Sequence, residues 1–297
     1  MQSLTLKQLR YFEALARTGQ FGRAAEDCAI SQPALSMQIK ELEAITGAQL
    51  VERGARQVRL TALGQQFAAR AREILRNVDE LADLVRADGE RLSGPMRIGV
   101  IPTVAPYLLP RLIQALSRQF PALDLQPRET VTRRLIEDLL ELRLDIAVVA
   151  LPVSEPALHE EPLFTEEFVL VRPAFDADKP VPNAENLTQM RLLLLEEGHC
   201  FRDQALSFCN LPQAPRGLME GSSLSTLVQM VGAGIGVTLI PEMAVGIETR
   251  NTNVALARLA PPRPSRTIGM VWRRANPLAE RFRQIAQILT EISAASP

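Results

Sequence analysis

The run Glu197-Gly-His-Cys-Phe-Arg-Asp-Gln-Ala-Leu-Ser-Phe-Cys209 places two of the chain's three cysteines on one short segment. Cys200 follows His199 and nearly adjoins Arg202, so two potential cations flank its sulfur, and positive charge favours the reactive thiolate. The residues between Cys200 and Cys209 read as a short helix. Such a helix holds the two α-carbons about 13 Å apart at ~1.5 Å per residue, whereas a disulfide needs roughly 4.4–6.8 Å. The sulfurs can therefore join only if the segment unwinds, which is the behaviour of a redox switch and not of a structural staple.

Composition limits what surrounds this segment. A chain of 297 residues can hold two or three domains with real cores. The formal charge of −1 excludes a globally basic protein, so any nucleic-acid face must be local. An odd number of cysteines argues against a disulfide framework. The N-terminus, beginning Met1-Gln-Ser-Leu-Thr-Leu-Lys, has neither the apolar core nor the small-residue cleavage site of a secretory signal. No long uncharged apolar stretch predicts a membrane span. The expected location is the cytoplasm, where resting thiols are kept reduced.

The first third reads as helices. Leu6, Leu9, Phe12, Leu15 and Ala16 fall at helical spacing up to Gly19, and Phe21 to Asp27 gives a second, short helix. Ser31 is a strong N-cap with Pro33 just inside the next helix, which runs from Ala34 to about Ile45 with Leu35, Ile39 and Leu42 inward. Two short helices joined tightly describe a helix-turn-helix. Its outer side offers Ser31, Gln32, Pro33, Ser36, Gln38 and Lys40, with glutamine able to pair an adenine edge. Glu41 and Glu43 fall on the back. The stretch Gln49 to Thr61 reads as a two-stranded wing, where Arg53 and Arg56 meet phosphates or the minor groove, unless they form only a solvated charged face. Cys28, in the turn region, is expected to be a small packing residue.

Beyond Thr61, Phe67, Ala71, Ile74, Val78, Leu81 and Val85 recur at alternating steps of four and three, a heptad seam that predicts a dimerisation helix. The competing reading is an amphipathic helix packed on its own domain. Ser93-Gly94-Pro95 breaks the helix. From there apolar strands alternate with helices: Met96–Ile101, a helix after Pro106, Leu123–Arg128, a helix from Thr132, and Asp145–Leu151. Strands at Phe168–Arg172, Leu192–Leu195, Gly217–Met219, Val237–Ile240 and Thr267–Trp272 follow, with helices after Gly221 and from Pro277. This alternation predicts an α/β fold with parallel sheets, arranged as two lobes with a cleft. The expected divisions are a winged helix-turn-helix over 1–61, a linker and dimerisation helix over 62–92, and a two-lobed regulatory domain over 93–297. Gly232-Ala-Gly-Ile-Gly236 leads from helix to strand, the reverse of a dinucleotide loop. His159 has no neighbouring Cys or paired His, so no metal site is expected, nor any cofactor.

Leu9-Arg-Tyr-Phe12, Ala24-Ala-Glu-Asp27, Ile30-Ser-Gln-Pro-Ala-Leu-Ser36, Ile39-Lys-Glu-Leu-Glu43 and Leu60-Thr-Ala-Leu-Gly64 resemble the amino-terminal domain of LysR-type transcriptional regulators. Gly234-Ile-Gly-Val-Thr-Leu-Ile-Pro241 is similar to that family's periplasmic-binding-protein-like effector domain. The likeness covers essentially the whole chain. Ile101 to Pro110, Glu197 to Ala205 and Arg266-Thr-Ile-Gly269 are similar to the family's hydrogen-peroxide-sensing members.

That resemblance implies a non-enzymatic regulator in which Cys200 is peroxidatic and Cys209 resolving, with Thr103, Thr132, His199, Asp203 and Arg266 around the peroxide. Thr130 competes with Thr132 for that place. Thr103 either orients peroxide or caps the following helix; Arg266 either touches the oxidant or holds a carboxylate such as Asp203. His199 has a plain alternative as a hydrogen-bonded loop residue. The implied partners are double-stranded promoter DNA, hydrogen peroxide, RNA polymerase and further copies of the chain. The family implies a homotetramer of two dimers, whereas the periodicity supports a homodimer. Two other functions compete: a regulator of the same family that senses a small organic metabolite, and a thiol peroxidase, for which a DNA-binding module has no use.

Overall fold

The computed structural model describes residues 4–52, 58–88, 92–182, 187, 190–208 and 219–294, with the side chains at 82, 83 and 85–88 outside that description. The chain divides into two compact units, Met1–Val85 and Arg86–Pro297.

The first unit opens with helix α1 (Leu6–Thr18), where the Thr5 hydroxyl and the Gln8 side chain form a reciprocal capping box. Gly19 closes it in a left-handed conformation, φ 65°, which glycine adopts without steric cost. Helices α2 (Phe21–Asp27) and α3 (Gln32–Thr46) follow. Leu35 and Leu42 are fully buried and Ile39 nearly so, together with Phe12 and Leu15 of α1, so the periodicity of α3 is its packing face. Among the described residues the expected wing shows an antiparallel bridge between Val51 and Leu60. Glu43 anchors it from the back of α3, its Oε1 accepting from the Leu50 and Val51 amides at 2.8 and 3.1 Å.

Helix α4 (Ala62–Asp88) begins on a Thr61 cap, whose hydroxyl accepts from the Gly64 amide at 2.9 Å. A Cβ on Gly64 would lie 2.0 Å from the Leu50 carbonyl oxygen, so this close crossing of helix and wing requires glycine. The start of the seam packs on its own unit: Phe67 meets Phe12 edge-on at 5.3 Å, and Ala71 is buried. Farther along the seam Ile74 and Leu81 are exposed. The two readings of this helix therefore divide along its length, the packed one holding at its beginning.

The second unit is built on a seven-stranded sheet in the order β2-β1-β3-β9-β4-β7, with β8 also on β4. The strands are β1 (Gly94–Val100), β2 (Leu123–Glu129), β3 (Ile146–Leu151), β4 (Leu158–Pro173), β7 (Thr238–Pro241), β8 (Val254–Arg258) and β9 (Ser265–Arg273). Strands β5 (Leu194–Leu195) and β6 (Glu220–Gly221) pair separately. Helices α5 (Ala105–Gln119), α6 (Thr132–Leu140), α7 (Cys200–Phe208), α8 (Leu224–Gly232), α9 (Glu242–Glu248) and α10 (Ala279–Ala294) complete the unit.

The expectation of parallel sheets holds only in part. β1 is parallel to β2 and β3, and β5 to β6, whereas every pairing of β4 and β9 is antiparallel. β9, the last strand of the chain, lies between β3 and β4 and runs against both. Two hydrophobic cores result. The first holds Ile98, Val148, Trp272 and Phe282; the second holds Phe168, Leu170, Phe201, Leu227 and Ile240. β4 runs through both, Leu158 and Leu163 in the first and Phe168 to Val171 in the second.

Candidate functional site

Cys200 is the first residue of α7 and carries a free, half-buried thiol. It packs against the first core, while its neighbour Phe201 is buried in the second. The backbone therefore crosses from one core to the other at the thiol itself. Cys209 lies outside the described residues.

Three segments approach the residues that flank Cys200, two directly and one through Arg266. The first is the loop after β2: a Cβ on Gly198 would stand 4.0 Å from Val131 Cγ1, so the Val131–Thr132 segment abuts the turn leading into Cys200. Within it the Thr132 Oγ1 is buried without a hydrogen-bond partner among the described residues. Thr130 is half-buried, and its amide donates to the Val100 carbonyl at 3.3 Å. The second is the loop after β1, where Thr103 is 2% exposed. The third is the start of β9, where Arg266 has its guanidinium carbon 5.3 Å from the centre of the Phe201 ring. Thr103 and Thr132 follow the C-terminal ends of adjacent parallel strands, where open α/β sheets bind ligands.

Arg266 Nη1 donates to Thr103 Oγ1 at 2.7 Å, and Nη2 donates to the Thr103 carbonyl at 3.1 Å. A plain capping role for Thr103 is thus replaced: its hydroxyl accepts from Arg266, and its own O–H remains to donate. Arg266 does hold a carboxylate, but it is Glu166 and not Asp203. Its Nε donates to Glu166 Oε1 at 2.9 Å, and its Nη2 stands 2.8 Å from the same oxygen. Asp203 is exposed in the first turn of α7, where a negative charge suits the positive helix end.

The two flanking cations are also corrected. Arg202 Nη1 donates to the Leu195 carbonyl at 2.8 Å and to Glu220 Oε1 at 2.6 Å, so its charge is matched within the second core's small sheet. Burial lowers the proton affinity of His199, against the opposing influence of Glu196 and Glu129, so at neutral pH it is an uncharged imidazole. The favourable field left at Cys200 is that of the α7 N-terminus. Gln204 was missed in the sequence. It lies one turn beyond Cys200 on the same helix face, and its Oε1 is buried without a partner among the described residues. The spacing from Cys200 was the available signal. Glu166 was missed too, for reasons of register.

His159 pairs with Glu161 at 3.1 Å and lies 4.5 Å from the Trp272 ring, a structural role. Among the described residues no group of three or more His, Cys, Asp or Glu could hold a metal ion, and no helix is long and apolar enough to cross a membrane. Cys28 packs against the first unit's core, and burial, then Asp27, raise its thiol pKa.

On α3, Gln32, Pro33 and Lys40 are exposed and Ser36 is half-exposed. Ser31 Oγ accepts from the Ala34 amide at 3.4 Å, so this hydroxyl is the helix cap. Gln38 Nε2 donates to Glu41 Oε2 at 3.0 Å. Met37, missed among its polar neighbours, is 64% exposed beside them, and a thioether so placed suits a thymine methyl. Arg53 and Arg56 lie outside the described residues.

A capped helix-turn-helix in one compact unit and an α/β fold in the other describe a DNA-binding regulator with a separate second domain. Residues 6–65 match the family of bacterial regulatory helix-turn-helix proteins of the lysR type, and residues 89–293 match the LysR substrate binding domain. The chain belongs to the LysR family of transcriptional regulators. Escherichia coli DNA-binding transcriptional dual regulator OxyR is 40% identical over 292 residues, 96% of this chain and 95% of that protein. A probable hydrogen peroxide-inducible genes activator from Mycobacterium leprae is 38% identical over 293 residues, 97% of this chain and 94% of that one. Among solved structures, a full-length OxyR variant from Pseudomonas aeruginosa has a TM-score of 0.75 at 36% identity, covering 97% of this chain and 95% of that one. A hydrogen-peroxide-bound OxyR variant from Corynebacterium glutamicum has a TM-score of 0.65 at 33% identity, covering 97% and 92%.

Proposed function

We propose that this chain is a peroxide-responsive transcriptional regulator, a switch and not an enzyme, acting on promoter DNA in the cytoplasm. It works as a dimer or as a tetramer built from two dimers, and RNA polymerase is its partner at the promoter. The observation that carries the reading is the placement of Cys200: a free thiol at a helix N-terminus, where the chain passes between two cores. The homology to peroxide-named regulators along nearly the whole chain supports it.

In the sensing step the Cys200 thiolate attacks one oxygen of hydrogen peroxide. The O–O bond breaks, and the departing oxygen takes up a proton and leaves as water, giving a Cys200 sulfenic acid. The Arg266 guanidinium and the Thr103 O–H stabilise the charge developing on that oxygen. Thr132, rather than Thr130, supplies the third contact, because its buried hydroxyl has no other partner; Gln204 borders the same face. His199 acts as an uncharged hydrogen-bonding group, and exposed Asp203 supports the helix end. The Cys209 thiol then attacks the Cys200 sulfur, expelling its hydroxyl as a second water and leaving a disulfide.

On DNA, Gln32, Ser36, Met37 and Lys40 face the major groove, and Ser31, Pro33 and Gln38 set and brace the helix that presents them. Arg53 and Arg56 meet the backbone. One equivalent of peroxide should give a Cys200–Cys209 cross-link by mass spectrometry and an altered DNA footprint. Cys200→Ser should abolish both and keep basal DNA binding. A cross-link to Cys28, or a footprint that ignores oxidation but answers a small organic acid, would refute the reading.

A further inference from the structure

We infer that Glu166 is a positioning residue for peroxide sensing: it holds the Arg266 guanidinium in register against Phe201, the residue next to the thiol, an inference that rests on the function proposed above. Glu166 and Arg266 are direct partners in the antiparallel pairing of β4 with β9. The Arg266 side chain is 0% exposed and that of Glu166 is 7% exposed. A guanidinium this deeply buried needs a matching charge held in good geometry. Glu166 Oε1 takes Nε at 2.9 Å and faces Nη2 at 2.8 Å, while Oε2 accepts the Met243 amide of α9 at 3.1 Å. The carboxylate is thus itself fixed by backbone, and cannot swing with the arginine.

The fork so held has a remainder. Arginine offers five N–H donors. Nε and Nη2 are turned to Glu166 and the Thr103 carbonyl, and Nη1 gives one N–H to Thr103 Oγ1. The second Nη1 N–H has no partner among the described residues, in a buried position beside Phe201, which adjoins Cys200. A purely structural ion pair gains nothing from an unused buried donor, which costs free energy unless something fills it. A small oxygen ligand fills it, and Glu166 fixes where that donor stands.

The requirement is for a carboxylate specifically. A glutamine at 166 that turns its oxygen to Arg266 sets its amide N–H against the Met243 N–H; turned the other way, it sets donor against donor at Arg266. An aspartate keeps the charge and both acceptors, but draws them back by one carbon. The test compares two reactions of the Cys200 thiol in the full-length reduced chain: oxidation by hydrogen peroxide, and alkylation by iodoacetamide, which has no use for the aligned donor. Glu166→Gln should slow the peroxide reaction roughly 10–100-fold and leave alkylation near the wild-type rate. Glu166→Asp should show the same selective loss to a smaller degree, and decides the matter if the glutamine variant does not fold. Equal slowing of both reactions would make Glu166 merely structural and overturn the inference, as would wild-type peroxide rates in both variants. A wild-type Cys200 inert to peroxide would overturn the proposed function first, and this inference with it.

Discussion

His199 precedes the thiol, yet burial disfavours its charged form, so it does not activate Cys200 as a cation. Its proton affinity in the folded chain lies below the ordinary value of about 6.5. With the folded value depressed, the unfolded chain binds the proton first on acidification. Stability tied to this residue is therefore complete above about 6.5 and is lost as pH falls toward the folded value. Melting curves from neutral to mildly acid pH should show this acid loss reduced in His199→Gln; identical acid limbs would dismiss the role of burial. At the DNA face, Gln32→Ala should change base preference. Arg53→Ala, at a residue proposed to meet the backbone, should weaken all sequences alike and lower the salt slope by about one. Equal losses on scrambled sites for both would remove Gln32 from base reading. Cys200 was legible from its own segment, whereas Thr103, Thr132 and Arg266 entered only through the family resemblance. The partners of the arginines were not legible. Arg202 finds Glu220 and Arg266 finds Glu166 through the folded chain, and sequence adjacency to Cys200 gave the opposite impression for Arg202.

Among the elements, α7 carries the proposed switch. Phe201 and Leu206 are buried in the second core, and Phe208 packs against it. Burying each such side chain fully is worth roughly 1.5–3 kcal/mol, and a disulfide stabilises by about 2–4 kcal/mol. On the proposed mechanism the helical and cross-linked forms are of similar free energy, and oxidation selects between them. Hydrogen exchange after complete Cys200–Cys209 cross-linking should show protection falling across 200–208. Unchanged protection there would rule out refolding even with Cys200 as the reactive thiol. The helix itself was readable from its periodicity. Less readable was β4, of which only the second half stood out: Val169, Leu170 and Val171 are a continuous buried run. The first half carries Glu160, Glu161, Pro162 and Glu167 at least partly exposed, Glu166 buried against Arg266, and a register shift near Phe164. Missing that half hid the register that sets Glu166 against Arg266. Strand β8 and helix α9 were missed as well. They are short, and tertiary packing on β4 outweighs their local pattern.

For the whole molecule, the formal charge of −1 means that affinity for DNA must come from a local face used more than once. In the proposed dimer a second copy supplies the repetition, and the far end of α4 is the element suited to recruit it. Ile74 is 44% exposed, Leu81 62% and Leu84 54%, all beyond the stretch where Phe67 and Ala71 pack on their own unit. Ile74 and Leu81 are a heptad apart, the spacing of a two-helix seam, and pairing there would place two recognition helices on successive major grooves about one helical turn apart or a multiple of it. Binding of the second helix then becomes intramolecular, and its effective concentration multiplies affinity without any new contact. Leu81→Glu should therefore leave the fold of each unit and the affinity for a single half-site near wild type. Sedimentation should show dissociation into monomers at micromolar concentration, and affinity for the full palindrome should fall about 100-fold or more. A Leu81→Glu chain that remains dimeric and protects both half-sites would place the dimer interface elsewhere, and leave the exposed end of α4 without the role its pattern implies.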